Sequence, residues 1–227
     1  GWSVYCRTDP RGAFDTLAQA ELDASNAPLW GTLIGSLSFP QGDPDESRSK
    51  LVIRIFEVIE PANESFLKLI IDRLADLYFS TPRQSALALV DWWPRLFSSA
   101  VEQETEPFDA SRELAEEAIN SPVGRLTQAL LADIEWCRQA GEPIRPDLLK
   151  NIAHASSTEG RQGVFVRAVL IRDAAFVLSI DGQTVTGILD ASLTGESVEA
   201  AALRSVLVNR ANLSSETSRV FCKHILQ

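Results

Sequence analysis

The chain has 227 residues, 45% of them hydrophobic, enough for a sizeable core in one large domain or two small ones. Its formal net charge is −10 and its pI about 4.7, which argues against a phosphate-tracking nucleic-acid surface, because that surface needs clustered Lys and Arg. No run reaches the roughly 18 apolar residues of a membrane span, and Gly1–Cys6 lacks the charged and long apolar regions of a signal peptide.

In chain order, Asp9-Pro10 caps a helix carrying Phe14, Leu17 and Ala18. Trp30, Leu33, Ile34 and Leu37 recur at helical spacing and predict a second helix packing back. Phe39 to Asp45 is a Pro-, Gly- and Asp-rich loop. Ser47 then caps an element with Leu51, Val52, Ile55, Phe56 and Ile59 inside, ended by Pro61. This segment also tolerates a strand reading, but its surroundings are helical. Asn63 caps a long helix burying Phe66, Leu67, Ile70, Ile71, Leu74, Leu77 and Tyr78. Thr81-Pro82 repeats the cap-plus-proline start. The helix after it carries Ala86, Leu89, Val90, Trp93 and Phe97, with Pro94 expected to kink it.

Between Ser99 and Ile119 seven acids face one base, Arg112, a local charge of −6. This reads as a solvated linker with a short helix from Asp109 to Ile119, or as a docking strip for a basic partner. Ser121-Pro122 opens a helix with Val123, Leu126, Leu130, Leu131, Ile134 and Cys137 on one face, stopped by Gly141 and Pro143. Pro146 restarts a short helix with Leu148, Leu149, Ile152 and Ala153 inside.

Val164–Ile180 is apolar nearly all round, so a single helix there must be buried on several sides. The competing reading is a hairpin, with Asp181-Gly182 as its turn. Helix is preferred, because the run far exceeds the usual strand length of roughly 5–6 residues. Ala168, Ala174 and Ala175 also favour helix. Val164–Leu193 should then be two helices broken near Asp181-Gly182. Thr194 caps a helix holding Val198, Ala202, Val206 and Leu207, and Ser214 a last one with Val220, Phe221 and Ile225.

The expected fold is therefore all-α, about ten helices in an irregular α-solenoid of the HEAT or armadillo type. No clean fixed-period repeat is present, so any repeats are degenerate. The expected division is N-terminal helical repeats over 1–100, an acidic linker and short helix over 101–120, and C-terminal repeats over 121–227.

Chemistry-bearing motifs are missing from the sequence: no Gly-rich phosphate loop, HExxH or GxSxG. Cys6, Cys137 and Cys222 are widely spaced, and they read as reduced thiols of a cytoplasmic protein. His154 and His224 read as structural or surface residues, with no ligand partner at metal spacing. Asp190 and Glu196, near helix starts, read as caps and dipole partners. No catalytic, cofactor or metal residue is expected. Trp92-Trp93-Pro94 with Arg95 is the conspicuous exception: core packing, or anchors in a partner groove. Phe221 joins Trp92, Trp93 and Arg95 as a candidate partner contact. The final helix presents Val220, Phe221, Ile225 and Leu226 without a capping Gly, which predicts a continuation into further protein. The chain contains no Met. It reads as a fragment of a longer protein, or as a sequence from which methionines have been lost.

Ser121-Pro-Val-Gly-Arg-Leu-Thr-Gln-Ala-Leu-Leu131, then Pro146-Asp-Leu-Leu149, Arg167-Ala-Val-Leu170, Phe176-Val-Leu-Ser-Ile-Asp181 and Leu189-Asp-Ala-Ser-Leu193, resembles the helical region of large bacterial defence proteins. In some of these the helical part follows a sirtuin-type NAD-hydrolysing domain. The likeness covers roughly the second half of the chain and extends more weakly to the Asp9-Pro10 and Trp30 helices. No sirtuin-type NAD-binding motif is present here, so no catalytic residue carries over. The resemblance implies sensing, regulation or assembly through protein partners: other domains of the same chain, a second copy, or a ligand protein. The alternatives are a stand-alone solenoid adaptor and an enzyme with an unfamiliar site.

Overall fold

The computed structural model describes residues 1–38, 46–103, 113–180, 184–211 and 215–225. Every regular element among them is helical, and no strand occurs. The chain divides into two compact units. One comprises residues 1–103 and 135–141, the other 104–134 and 142–227.

The first unit begins with α1 (Trp2–Thr8), which the sequence pattern did not signal, and turns at Asp9 into α2 (Pro10–Leu17). The Asp9 carboxylate accepts the Gly12 N–H at 2.9 Å, the cap expected of Asp-Pro. Next come α3 (Ala27–Ser38), α4 (Glu46–Ile59) and α5 (Glu64–Ser80). Asn63 caps α5 by accepting the Phe66 N–H at 2.8 Å. α5 packs against both α1's neighbour α3 and the later α7 (Trp93–Val101). Its buried side chains from Phe66 to Tyr78 therefore form the centre of this unit.

Three local expectations are corrected here. Thr81 does not cap a new helix: its hydroxyl bonds back to the Leu77 carbonyl at 2.6 Å, ending α5. The stretch after Pro82 is the four-residue α6 (Arg83–Ala86), then a 3-10 helix over Leu87–Trp92. Pro94 does not kink a helix. It lies in the first turn of α7, where its missing N–H costs nothing. Ser47 lies inside α4 instead of before it. The Phe39–Asp45 loop falls outside the described residues.

The second unit starts with α8 (Leu114–Asn120); most of the acidic stretch before it lies outside the described residues. α9 (Pro122–Gln139) opens on the expected Ser121 cap, whose hydroxyl accepts the Gly124 N–H at 3.1 Å and donates to the Ala118 carbonyl at 2.8 Å. Gly124 makes this corner possible. A Cβ there would stand 1.7 Å from the Ala118 carbonyl oxygen. α9 closes at Gly141, whose φ of +69° is left-handed backbone.

α10 (Pro146–Ser156) and α11 (Gly160–Arg172) come next. α11 packs against α8, α10 and α14 (Val198–Asn209), and Val164 to Ile171 are buried except for Arg167. Burial on several sides is what an all-round apolar helix requires.

The Val164–Ile180 run is not one helix, however. It breaks at Asp173, where the backbone leaves helical geometry (φ −99°, ψ 26°) and the Asp173 carbonyl starts α12 (Ala174–Ile180) by accepting from Phe176 and Val177. α13 (Thr184–Leu193) comes after it, so 164–193 holds three helices in place of the expected two. The hairpin reading fails, since residues 176–180 and 184–186 are helical. Asp181-Gly182 itself lies outside the described residues. Thr194 does not cap α14. Ser197 does, accepting the Ala200 N–H at 3.1 Å, while the Thr194 hydroxyl bonds back to the Asp190 carbonyl. α15 (Ser215–Ile225) is the last helix; Ser214 lies outside the described residues.

Candidate functional site

The Trp-Trp-Pro-Arg sequence straddles the junction between the 3-10 helix and α7. Trp93 is fully buried and stacks on Phe97, ring centroids 4.5 Å apart. It offers no surface to a partner. Trp92 is half-buried, its ring 5.2 Å from that of Phe56. Arg95 lies over Trp92, its guanidinium carbon 5.3 Å from the ring centroid.

The rest of the Arg95 guanidinium points at the turn between α4 and α5. It donates to the Glu60 carbonyl at 2.7 Å, to the Ala62 carbonyl, and to the Glu64 carboxylate at 3.2 Å. Ser99 holds the other Glu64 oxygen at 2.8 Å. The turn after a helix leaves carbonyls without helical partners, and Arg95 satisfies those of Glu60 and Ala62. It locks a helix corner within its own unit.

Phe221 is also fully buried. Val220 is 37% exposed, and the side chains of Ile225 and Leu226 lie outside the described set.

The second unit contains a cleft of about 500 Å³ that sequence reasoning did not find. Its walls are the start of α11, the end of α13 and the start of α14. Two arginines of α11, Arg161 and Arg167, line it. Arg161 is committed to Glu117 of α8 at 3.2 Å, with side chains only 13% and 18% exposed. Arg167 differs in its charge pairing, though the Nε–H of each arginine is enclosed without a hydrogen-bond partner among the described residues. Its Nη1 donates to the Thr158 carbonyl at 2.7 Å, but its Nε–H is buried and donates to nothing among the described residues. No carboxylate pairs with it there, and burial holds its guanidinium below the ordinary arginine pKa.

Glu199 of α14 also lines the cleft, exposed, with no ion pair or hydrogen bond among the described residues. Ser192, Thr194 and Ser197 add hydroxyls, and Val164, Ala200 and Leu203 an apolar wall. Gly163 shapes the Arg167 side: a Cβ there would stand 1.9 Å from the Thr158 carbonyl oxygen. Arg161 and Arg167 lie close together on α11, whereas the rest of the wall comes from helices further along the chain, which only the packing brings close.

Of the two readings left open for His224, structural or surface, the structure takes the structural one. It is 3% exposed, and its Nε2 lies 2.8 Å from Asp190 of α13. Its Nδ1 is buried with no hydrogen-bond partner among the described residues. This pair pins α15 to α13. Among the described residues no three His, Cys, Asp or Glu side chains gather as a metal site, and no helix is long and apolar enough to cross a membrane.

All-α helical architecture is the class that these elements define. The whole chain aligns, at 25% identity, with a protein of Sinorhizobium fredii (strain NBRC 101917 / NGR234) described as uncharacterized protein y4cA. The chain spans 19% of the length of that curated relative. No family model matches the chain, and no solved structure matches it.

Proposed function

We propose that this chain is a non-catalytic, HEAT- or armadillo-like helical-repeat region of a larger cytoplasmic bacterial protein. In this reading it mediates protein–protein recognition or assembly that regulates a catalytic domain elsewhere. The observation that carries it is the alignment from end to end with only 19% of a much longer relative. In that relative the aligned segment is one part of a far longer chain, a setting that suits a helical region acting through its neighbours. The antiviral-defence setting rests on the resemblance of the second half of the chain to helical regions of bacterial defence proteins.

A surface feature supports recognition of protein. On α14, Val198, Ala201, Ser205 and Val208 fall on one helix face and are all exposed, the two valines at 56% and 52%. This face, uncharged and with two exposed valines, is where the proposed contact with another protein surface is placed.

The test uses the full-length protein with Val198→Glu and Val208→Glu together. Assembly, read by light scattering, and the output of the catalytic domain should both change, while the circular dichroism melt of the 227-residue chain stays put. NAD or ATP hydrolysis by the purified 227-residue chain, lost on substitution of one polar cleft residue, would overturn the reading.

A further inference from the structure

We propose that the cleft between α11, α13 and α14 binds a small zwitterion of the α-amino acid class, with Arg167 holding its carboxylate and Glu199 its ammonium group. Two opposite charges line one cleft and are not paired with each other or with any other charged group among the described residues. Buried polar groups are normally satisfied, and the Arg167 Nε–H is not. With Nη1 given to the Thr158 carbonyl and Nε enclosed, Nη2, which is neither enclosed nor bonded among the described residues, is the end of the guanidinium left to meet a carboxylate.

Charge selects among anions. Arg161 is already neutralised by Glu117, so the cleft balances one free arginine against one free glutamate. A phosphate would be repelled by Glu199 and by a chain of net charge −10. A zwitterion satisfies both charges at once. The volume of about 500 Å³ lies in the range of small-molecule sites, and Val164, Ala200 and Leu203 give an apolar wall for a side chain. The inference does not depend on the scaffold role proposed above: a cleft that fills leaves that role standing, and a cleft that does not leaves it equally intact.

The experiment is calorimetric titration of the 227-residue chain with each of the twenty amino acids, then with 3-phenylpropionate and 2-phenylethylamine as probes lacking one charge each. Saturable binding of at least one amino acid is expected, with both single-charge probes weaker by about tenfold or more. Glu199 makes no hydrogen bond or ion pair among the described residues, and only its charge in the first turn of α14 is lost, so Glu199→Gln keeps the fold. It should weaken the amino acid by about tenfold and leave 3-phenylpropionate unchanged or tighter. Arg167→Met should abolish both, with a melt reporting any cost of losing its Thr158 contact. The proposal is overturned if no amino acid binds at millimolar concentration, or if Glu199→Gln affects the amino acid and 3-phenylpropionate alike. It is equally overturned if inorganic phosphate binds more tightly than every amino acid.

Discussion

Gly124→Ala is the substitution whose sign the corner between α8 and α9 decides. Helix propensity alone favours alanine by about 1 kcal/mol in a helix interior. Here the new Cβ would sit 1.7 Å from the Ala118 carbonyl oxygen and 2.7 Å from its carbon, both main-chain atoms. Neither can swing aside as a side chain would. The helices must separate, at a strain of roughly 1–3 kcal/mol. The same movement pulls the Ser121 hydroxyl from the Gly124 N–H and the Ala118 carbonyl, a cap loss of about 1 kcal/mol. Less the propensity gain, the net is about 2 kcal/mol of destabilisation. For a chain of this size that lowers the melting temperature by roughly 4–8 °C. Gly187→Ala is the control. Gly187 lies inside α13 with nothing within 4 Å of its would-be Cβ, so alanine there should stabilise by up to about 1 kcal/mol. Urea and thermal unfolding by circular dichroism read both variants. A Gly124→Ala protein as stable as the wild type, or more so, would refute the tight corner.

Two further perturbations separate structural from recognition roles. Arg95→Met removes the bonds to Glu60, Ala62 and Glu64 from a side chain 29% exposed. It should destabilise by about 1–2 kcal/mol after allowing for solvent screening; an unchanged melt with a lost partner would restore Arg95 as an interface anchor. Hydrogen bonds from Ser25 and Asn26 hold the Asp23 carboxylate below its ordinary pKa. A depressed folded value means the contribution to stability is present above the unfolded pKa and fades as pH falls through the folded one. Amide exchange at Ser25 and Asn26, corrected for its intrinsic pH dependence, should show protection lost in that acid range, and Asp23→Asn should flatten the response.

Helical class, most of the helix faces and three caps arise from local sequence, because capping and amphipathic spacing act within a few residues. Asp9, Asn63 and Ser121 each cap the helix that the sequence predicts, since a short polar side chain there meets an N–H three residues on. Where two local solutions compete, the surrounding structure chooses. Thr81 and Thr194 both turn back to a carbonyl four residues earlier instead of forward to a new helix. The break at Asp173 was hidden because apolar periodicity continues across it; only the directions in which α11 and α12 find neighbours require a turn there. Trp93, Arg95 and Phe221 show the same limit. An aromatic or arginine reads alike in a core, a helix corner or an interface until its neighbours are known, and the structure encloses Trp93 and Phe221 and spends Arg95 on the carbonyls after α4. The cleft is the extreme case. Arg167 and Glu199 are thirty-two residues apart, and nothing local couples them. Their lining one cleft, without a charged partner among the described residues, is a property of how α11 and α14 pack, which no short-range pattern in the chain encodes.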